Sequence, residues 1–223
     1  MPGTALTWDQ TGDRYYHTGI SKGVLFVQND DGTYAEGVAW NGLTSVEEKP
    51  EGADAQDLWA DNMKYASFRT AEEYKGTISA YQYPKEFEEC DGSKEYAPGM
   101  VIGQQKRKPF AFCYRTEVGN DTAGESDDGY IIHIVYNATC NPTSRNHQTI
   151  NDSPDAIEFS WDFDTVPIVS SLTGAKPLST IDIYSKRATA AKLTALEATL
   201  YGSSAANSSL PTPDAIFDAL KDT

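Results

Sequence analysis

Cysteine is scarce. Three occur, Cys90, Cys113 and Cys140, an odd and sparse count that fits a reducing compartment better than a disulfide framework. No pair is spaced Cys-x-x-Cys, which argues against zinc. Histidine is equally rare: His17, His133 and His147 are not spaced as metal ligands. His133 stands among apolar residues and reads as a satisfied packing residue. Bases are few. Eighteen Lys and Arg against 33 Asp and Glu leave a formal net charge of -15, and a chain this acidic lacks the clustered cations that grip a nucleic-acid backbone. No apolar run approaches a membrane span, and residues 1–10 carry neither the basic nor the apolar region of a secretory signal. The expectation is a protein made and kept in a cytosol, with no membrane insertion. There Asn120-Asp121-Thr122, Asn137-Ala138-Thr139 and Asn207-Ser208-Ser209 are chance matches to the glycosylation pattern.

Catalytic signatures are missing as well. The chain has no G-x-S-x-G, no phosphate-binding P-loop and no G-x-G-x-x-G leading into a helix. The acid pairs Glu47 and Glu48, Glu88 and Glu89, and Asp127 and Asp128 invite comparison with the two carboxylates of glycoside hydrolysis. Adjacent carboxylates on a strand, however, point to opposite faces, and a chain this acidic makes such pairs by chance. The connector at residues 120–129 fails the alternating ligand pattern of a calcium loop. No catalytic residue, metal or cofactor is expected.

What is present points to β-structure. Thirteen Tyr and eight Phe suit pleated, half-buried surfaces. Residues 23–28 and 37–46, the latter with Trp40, flank Asn29-Asp30-Asp31-Gly32 and predict a hairpin. Residues 63–70 and 75–83 read as two more strands, and residues 84–90 as a single helical turn ended by Asp91-Gly92. Residues 109–116 set Phe110, Phe112 and Tyr114 on one side. Residues 129–136 are apolar on both faces, so both are expected to be covered. Phe159, Trp161 and Phe163 alternate with Glu158, Ser160 and Asp162, and residues 180–184 make a last short strand.

One helix is clear. Thr189 stands at its N-cap, Leu193, Leu196 and Leu200 form its apolar stripe, and Gly202 ends it. Residues 203–209 read as a flexible linker. Thr212-Pro213-Asp214 then opens a terminal helix with Ile216, Phe217 and Leu220 on one side, too short to stand alone. The sum is a mainly β fold: an antiparallel β-sandwich or barrel with one flanking helix, over residues 1–202, and a linker with a short helical extension over 203–223.

Two charged stretches stand out. Residues 47–61 hold Glu47, Glu48, Glu51, Asp54, Asp57 and Asp61 against Lys49 alone. Pro50 and Gly52 break regular structure early, so a long loop at about 47–62 is expected, and such a loop in an ordered domain implies a use. Lys106, Arg107 and Lys108 form the one dense basic run. Phe110 and Phe112 follow it, the pattern of a strand-stacking nucleic-acid site. Three charges are few for that task, and pairing with an acidic patch on another subunit is the preferred reading.

Four strings resemble the major tail proteins of long-tailed, non-contractile phages. They are residues 37–65 from Gly-Val-Ala-Trp through Asn-Met-Lys-Tyr, Tyr-Gln-Tyr-Pro-Lys-Glu-Phe-Glu-Glu-Cys-Asp-Gly at 81–92, Ile-Gly-Gln-Gln-Lys-Arg-Lys-Pro-Phe at 102–110, and Asn-Asp-Ser-Pro-Asp-Ala-Ile-Glu-Phe-Ser-Trp at 151–161. Their order and spacing carry the likeness over about 23–202. The resemblance implies a tail-tube β-sandwich whose copies form six-membered rings that stack into a tube. Sheets joined around the ring line a bore through which double-stranded DNA passes as transient cargo. It also implies a virion tail assembled in the host cytoplasm beside tape measure, tail terminator and tail tip proteins. A long loop between two strands would reach the adjacent ring, which gives that role to Glu47, Glu48, Glu51, Asp54, Asp57, Leu58, Trp59 and Asp61. The competing readings are a carbohydrate- or receptor-binding β-sandwich that uses exposed Trp and Tyr, and a hydrolase that uses paired carboxylates.

Overall fold

The computed structural model describes residues 5–52, 54–69, 71–122, 128–147, 149 and 156–221. The runs at 24–26, 110–113 and 131–138 bury apolar residues on both faces: Leu25, Phe110, Phe112, Val135 and Ala138 on one, and Val24, Phe26, Ala111, Cys113, Ile132, Ile134 and Tyr136 on the other. A sheet with two apolar faces needs a cover on each, and the chain supplies two different ones.

In chain order the strands are β1 (Tyr15–Val27), β2 (Val38–Trp40), β3 (Leu43–Glu48), β4 (Glu51–Gly52), β5 (Ala55–Ala60), β6 (Met63–Arg69), β7 (Glu72–Glu73) and β8 (Lys75–Ala80). A 3-10 turn at Lys85–Phe87 and the single-turn helix α1 (Glu88–Asp91) follow. Then come β9 (Lys94–Ala97), β10 (Met100–Ile102), β11 (Phe110–Asn120), β12 (Tyr130–Cys140), β13 (Phe159–Thr165) and β14 (Thr180–Tyr184), and the helices α2 (Ala190–Tyr201) and α3 (Pro213–Leu220). The main sheet runs β2-β1-β11-β12-β13-β8-β3, antiparallel throughout, with β14 also on β12.

The sheet folds over within β12. Residues 131–135 pair with β14, while Ala138, Thr139 and Cys140 pair with β13 along the same edge. Asn137 lies between them at φ 50°, where the pairing with β11 shifts register by one extra β12 residue, as at a β-bulge that bends a strand. It is held there by its side-chain amide donating to the Val166 carbonyl at 3.0 Å and its backbone N–H donating to Tyr34 Oη at 3.1 Å. The result is a sandwich in which β13, β8 and β3 lie over β1, β11 and β12.

Aromatic rings fill the space between the layers. Trp161 makes edge contacts with Trp40, Tyr83 and Phe87 at 5.8, 5.3 and 5.1 Å, the arrangement that ring quadrupoles favour. Phe112 meets Phe163 edge-on at 5.3 Å. Trp40 satisfies its buried Nε1–H on the Gln82 carbonyl at 3.0 Å. On the far face Leu193, Leu196 and Leu200 of α2 and Ile216 of α3 pack on Ile132, Ile134, Tyr136 and Ile183.

The mainly β, antiparallel sandwich expected from sequence is the observed class, with four differences. First, two helices, not one, cover the far face. Second, residues 37–46 break at Asn41-Gly42 into β2, which pairs with β1, and β3, which pairs with β8. Third, residues 203–209 are tied down. Ser209 N–H donates to the Thr199 carbonyl and Gly37 N–H to the Ser208 carbonyl, so α3 docks on its own chain. Fourth, Thr189 occupies the α2 N-cap without a side-chain capping bond, whereas Thr212 caps α3 by accepting from Ala215 N–H at 3.2 Å. In the connector at 120–129, residues 123–127 lie outside the described residues, as do 151–155 of the fourth quoted string.

Candidate assembly surface

The segment expected as a loop is mostly strand. β4 pairs with β7, and β5 pairs with β6, so residues 49–52, 54–69 and 71–74 continue the β3–β8 pair outward as a two-stranded arm. Its tip turns on Asp61 and Asn62, at φ 50° and 61°. Two successive left-handed residues make the two-residue hairpin turn whose twist matches its strands, and Asp and Asn tolerate that backbone best among residues with a Cβ. Ala60 accordingly pairs with Met63. The acidic run hid this pattern because β5 alternates weakly. The returning strand, legible as a strand, pairs with that run and not with the core.

The arm is exposed on both faces. Leu58, Trp59, Met63, Tyr65 and Phe68 are 49, 68, 62, 74 and 61% exposed. An isolated two-stranded ribbon is marginal in water, and clustered exposed apolar residues mark an interaction surface. Sequence reading selected Leu58 and Trp59 but missed Met63, Tyr65 and Phe68. The run from Met63 was legible as a strand, but a strand's sequence does not by itself show whether its apolar residues are buried.

The acids named from sequence separate along this element. Glu47 pairs with Lys49 at 3.0 Å. Glu48 turns to the other side and accepts from Tyr114 Oη at 2.9 Å. Glu51 and Glu73 hold Lys75 at 2.9 and 3.3 Å, and their bonds, that of Glu51 foremost, raise its ammonium pKa above the ordinary value. Asp57 pairs with Lys64 at 2.7 Å. Asp54, Asp61 and Glu72 have no ion-pair partner among the described residues.

The basic run lies elsewhere, on the loop before β11. It borders a cleft of about 630 Å³ between the turn at Asn29 and Gly32, β9 and that loop. Lys108 pairs with Glu89 of its own chain at 2.6 Å, so it is not free for another subunit. Arg107 lies over Gly92, and the Lys108 N–H donates to the Glu89 carbonyl at 2.9 Å, which straps the loop to α1.

A third surface is the outward face of β13, β8 and β3. It carries Glu158, Ser160, Asp162, Ser79, Thr77 and Glu47, with Asp162 accepting from Thr77 Oγ1. No helix covers it among the described residues, unlike the far face of β11 and β12. His133 lies in the other layer. It is bonded to Asp182 at 2.8 Å and Thr116 at 2.9 Å and stacked on Tyr114, a packing residue with its polar atoms satisfied. Among the described residues no three His, Cys, Asp or Glu side chains are grouped to hold a metal ion, and no helix is long and apolar enough to cross a membrane.

No curated protein matches the chain. Residues 28–202 match the family described as phage tail tube protein, a stretch that takes in every strand from β2 to β14, the arm, the cleft and α2. The chain therefore belongs to the phage tail tube proteins, a structural family of the virion tail.

Proposed function

We propose that copies of this chain assemble into six-membered rings that stack into the tail tube through which the phage genome is ejected, and that the chain performs no catalysis. The observation that carries this reading is the arm: two strands, wet on both faces, with five large apolar side chains at its outer half. Alone it gains little from folding; against a neighbouring ring it buries that surface. The residues given this role are Glu51, Asp54, Asp57, Leu58, Trp59 and Asp61 on the arm, with Glu47 and Glu48 at its root.

The open edges fit the same reading. β3 and β14 each have a free side, a liability that closure around a ring removes. The uncovered face of β13, β8 and β3 would line the bore. Its carboxylates, in a chain of net charge -15, would repel phosphate and let DNA slide without sticking. Assembly in the host cytoplasm, beside tape measure, terminator and tip proteins, belongs to this reading. A carbohydrate- or receptor-binding module would instead remain a small oligomer. Negative-stain microscopy of the purified chain separates the two: tubes or stacked rings with a central hole support the tube, and compact particles that bind glycan support the module.

A further inference from the structure

We propose that the arm of one copy seats in the cationic cleft of a second copy, the cleft bounded by the turn at Asn29 and Gly32, by β9, and by residues 105–109. This rests on the reading that the arm reaches a neighbouring subunit, and it names the surface that receives it.

Charge is the first argument. In a chain with 33 acids and 18 bases, Lys94, Lys106 and Arg107 line one cleft with Asp30 as the only acid there besides Glu89 among the described residues, and none of the three bases has an ion-pair partner among those residues. Lys108 beside them is already neutralised by Glu89. The arm has the opposite surplus, with Asp54, Asp61 and Glu72 unpaired against the single unpaired base Arg69 among the described residues. Repulsion between copies this acidic opposes association, so an interface must bring such surpluses together.

Apolar surface is the second. β9 walls the cleft, and the hairpin it makes with β10 exposes Tyr96, Met100, Val101 and Ile102 beside it. These match in kind the apolar residues of the arm, and aromatic and Met side chains are those enriched at interface centres. The arm's own strands are exposed along their length, so the cleft is not filled by the arm of its own chain and is open to one in trans.

Charge reversal tests it. Lys94→Glu with Lys106→Glu, at two exposed positions, should leave the thermal melt unchanged and abolish tubes in electron micrographs. Asp54→Lys with Glu72→Lys should do the same from the other side, and chains carrying all four changes should regain tubes. A cysteine pair, Asp54→Cys with Lys106→Cys, should give a ladder of linked chains on a non-reducing gel, since the native cysteines are buried. Normal tubes from the cleft-reversed chain overturn the inference, and so does the absence of both restoration and cross-linking. If replacing residues 54–69 by a short linker leaves tubes intact, the arm reading itself falls. If that replacement abolishes tubes while cleft reversal does not, this inference alone falls.

Discussion

Tyr114 donates its hydroxyl hydrogen to Glu48 across 2.9 Å, and the bond ties one layer of the sandwich to the other where the arm leaves it. Tyr114 is buried in β11 and stacks on His133 and Phe112; Glu48 ends β3. Tyr114→Phe keeps the ring packing and removes the bond. Unfolding should become easier by about 1 kcal/mol, read by denaturant titration, with the larger effect on assembly because the arm's root loses its brace. No change in either would show that water replaces the hydroxyl at no cost.

The segment after Gly202 is part of the core. Ile216 is 3% exposed, and the Pro211 carbonyl accepts from the buried Tyr136 hydroxyl at 2.9 Å. Ile216→Ala should cost about 2–5 kcal/mol, the usual range for such a truncation. Removal of residues 203–223 also strands the Tyr136 hydroxyl. The shortened chain should melt earlier and bind a hydrophobic dye; an unchanged melt would contradict this packing.

Alkali should unfold the chain. Burial pushes the Cys90 and Cys113 thiols and, with help from Glu197, the Tyr130 phenol up to about 12, and raises Tyr74, Tyr114 and Tyr136 further. Above their ordinary values near 9 and 10, the unfolded chain has lost these protons while the folded chain still binds them, so stability falls as pH rises. The contribution of these thiols and phenols should hold steady below about pH 9 and decline steeply from there to 12. Thiol reagents at neutral pH should label Cys90, Cys113 and Cys140 only on unfolding. Fast labelling of the folded chain would be contrary.

The carboxylates of the open sheet face should matter to DNA and not to folding. Glu158→Lys with Asp162→Lys should give tails of normal length and particles that release DNA slowly, measured as dye-accessible DNA after triggering. Unaltered release would remove this face from the bore.

Sequence made the core legible where apolar residues alternate, as at Phe159, Trp161 and Phe163, and where both faces are apolar, as across Ile131 and Ile132. It hid the arm for two physical reasons. A ribbon with no core side has no alternation to reveal it, and the turn at Asp61-Asn62 lacks the Gly that usually marks a two-residue hairpin. The β9–β10 hairpin was missed because its strands of four and three residues are too short for a period to appear. The exposure of Met63, Tyr65 and Phe68 was not legible because composition alone does not tell a buried strand from one awaiting a partner. The two bulges that bend β1 and the one that bends β12 are tertiary in origin.

The most direct test is electron microscopy of the purified wild-type chain beside a variant in which residues 54–69 are replaced by a short Gly-Ser linker. The account predicts tubes with a central hole from the wild type, and folded, unpolymerised protein from the variant. Tubes of normal length from the variant, or wild-type chains that remain single compact particles at every salt concentration, would contradict it.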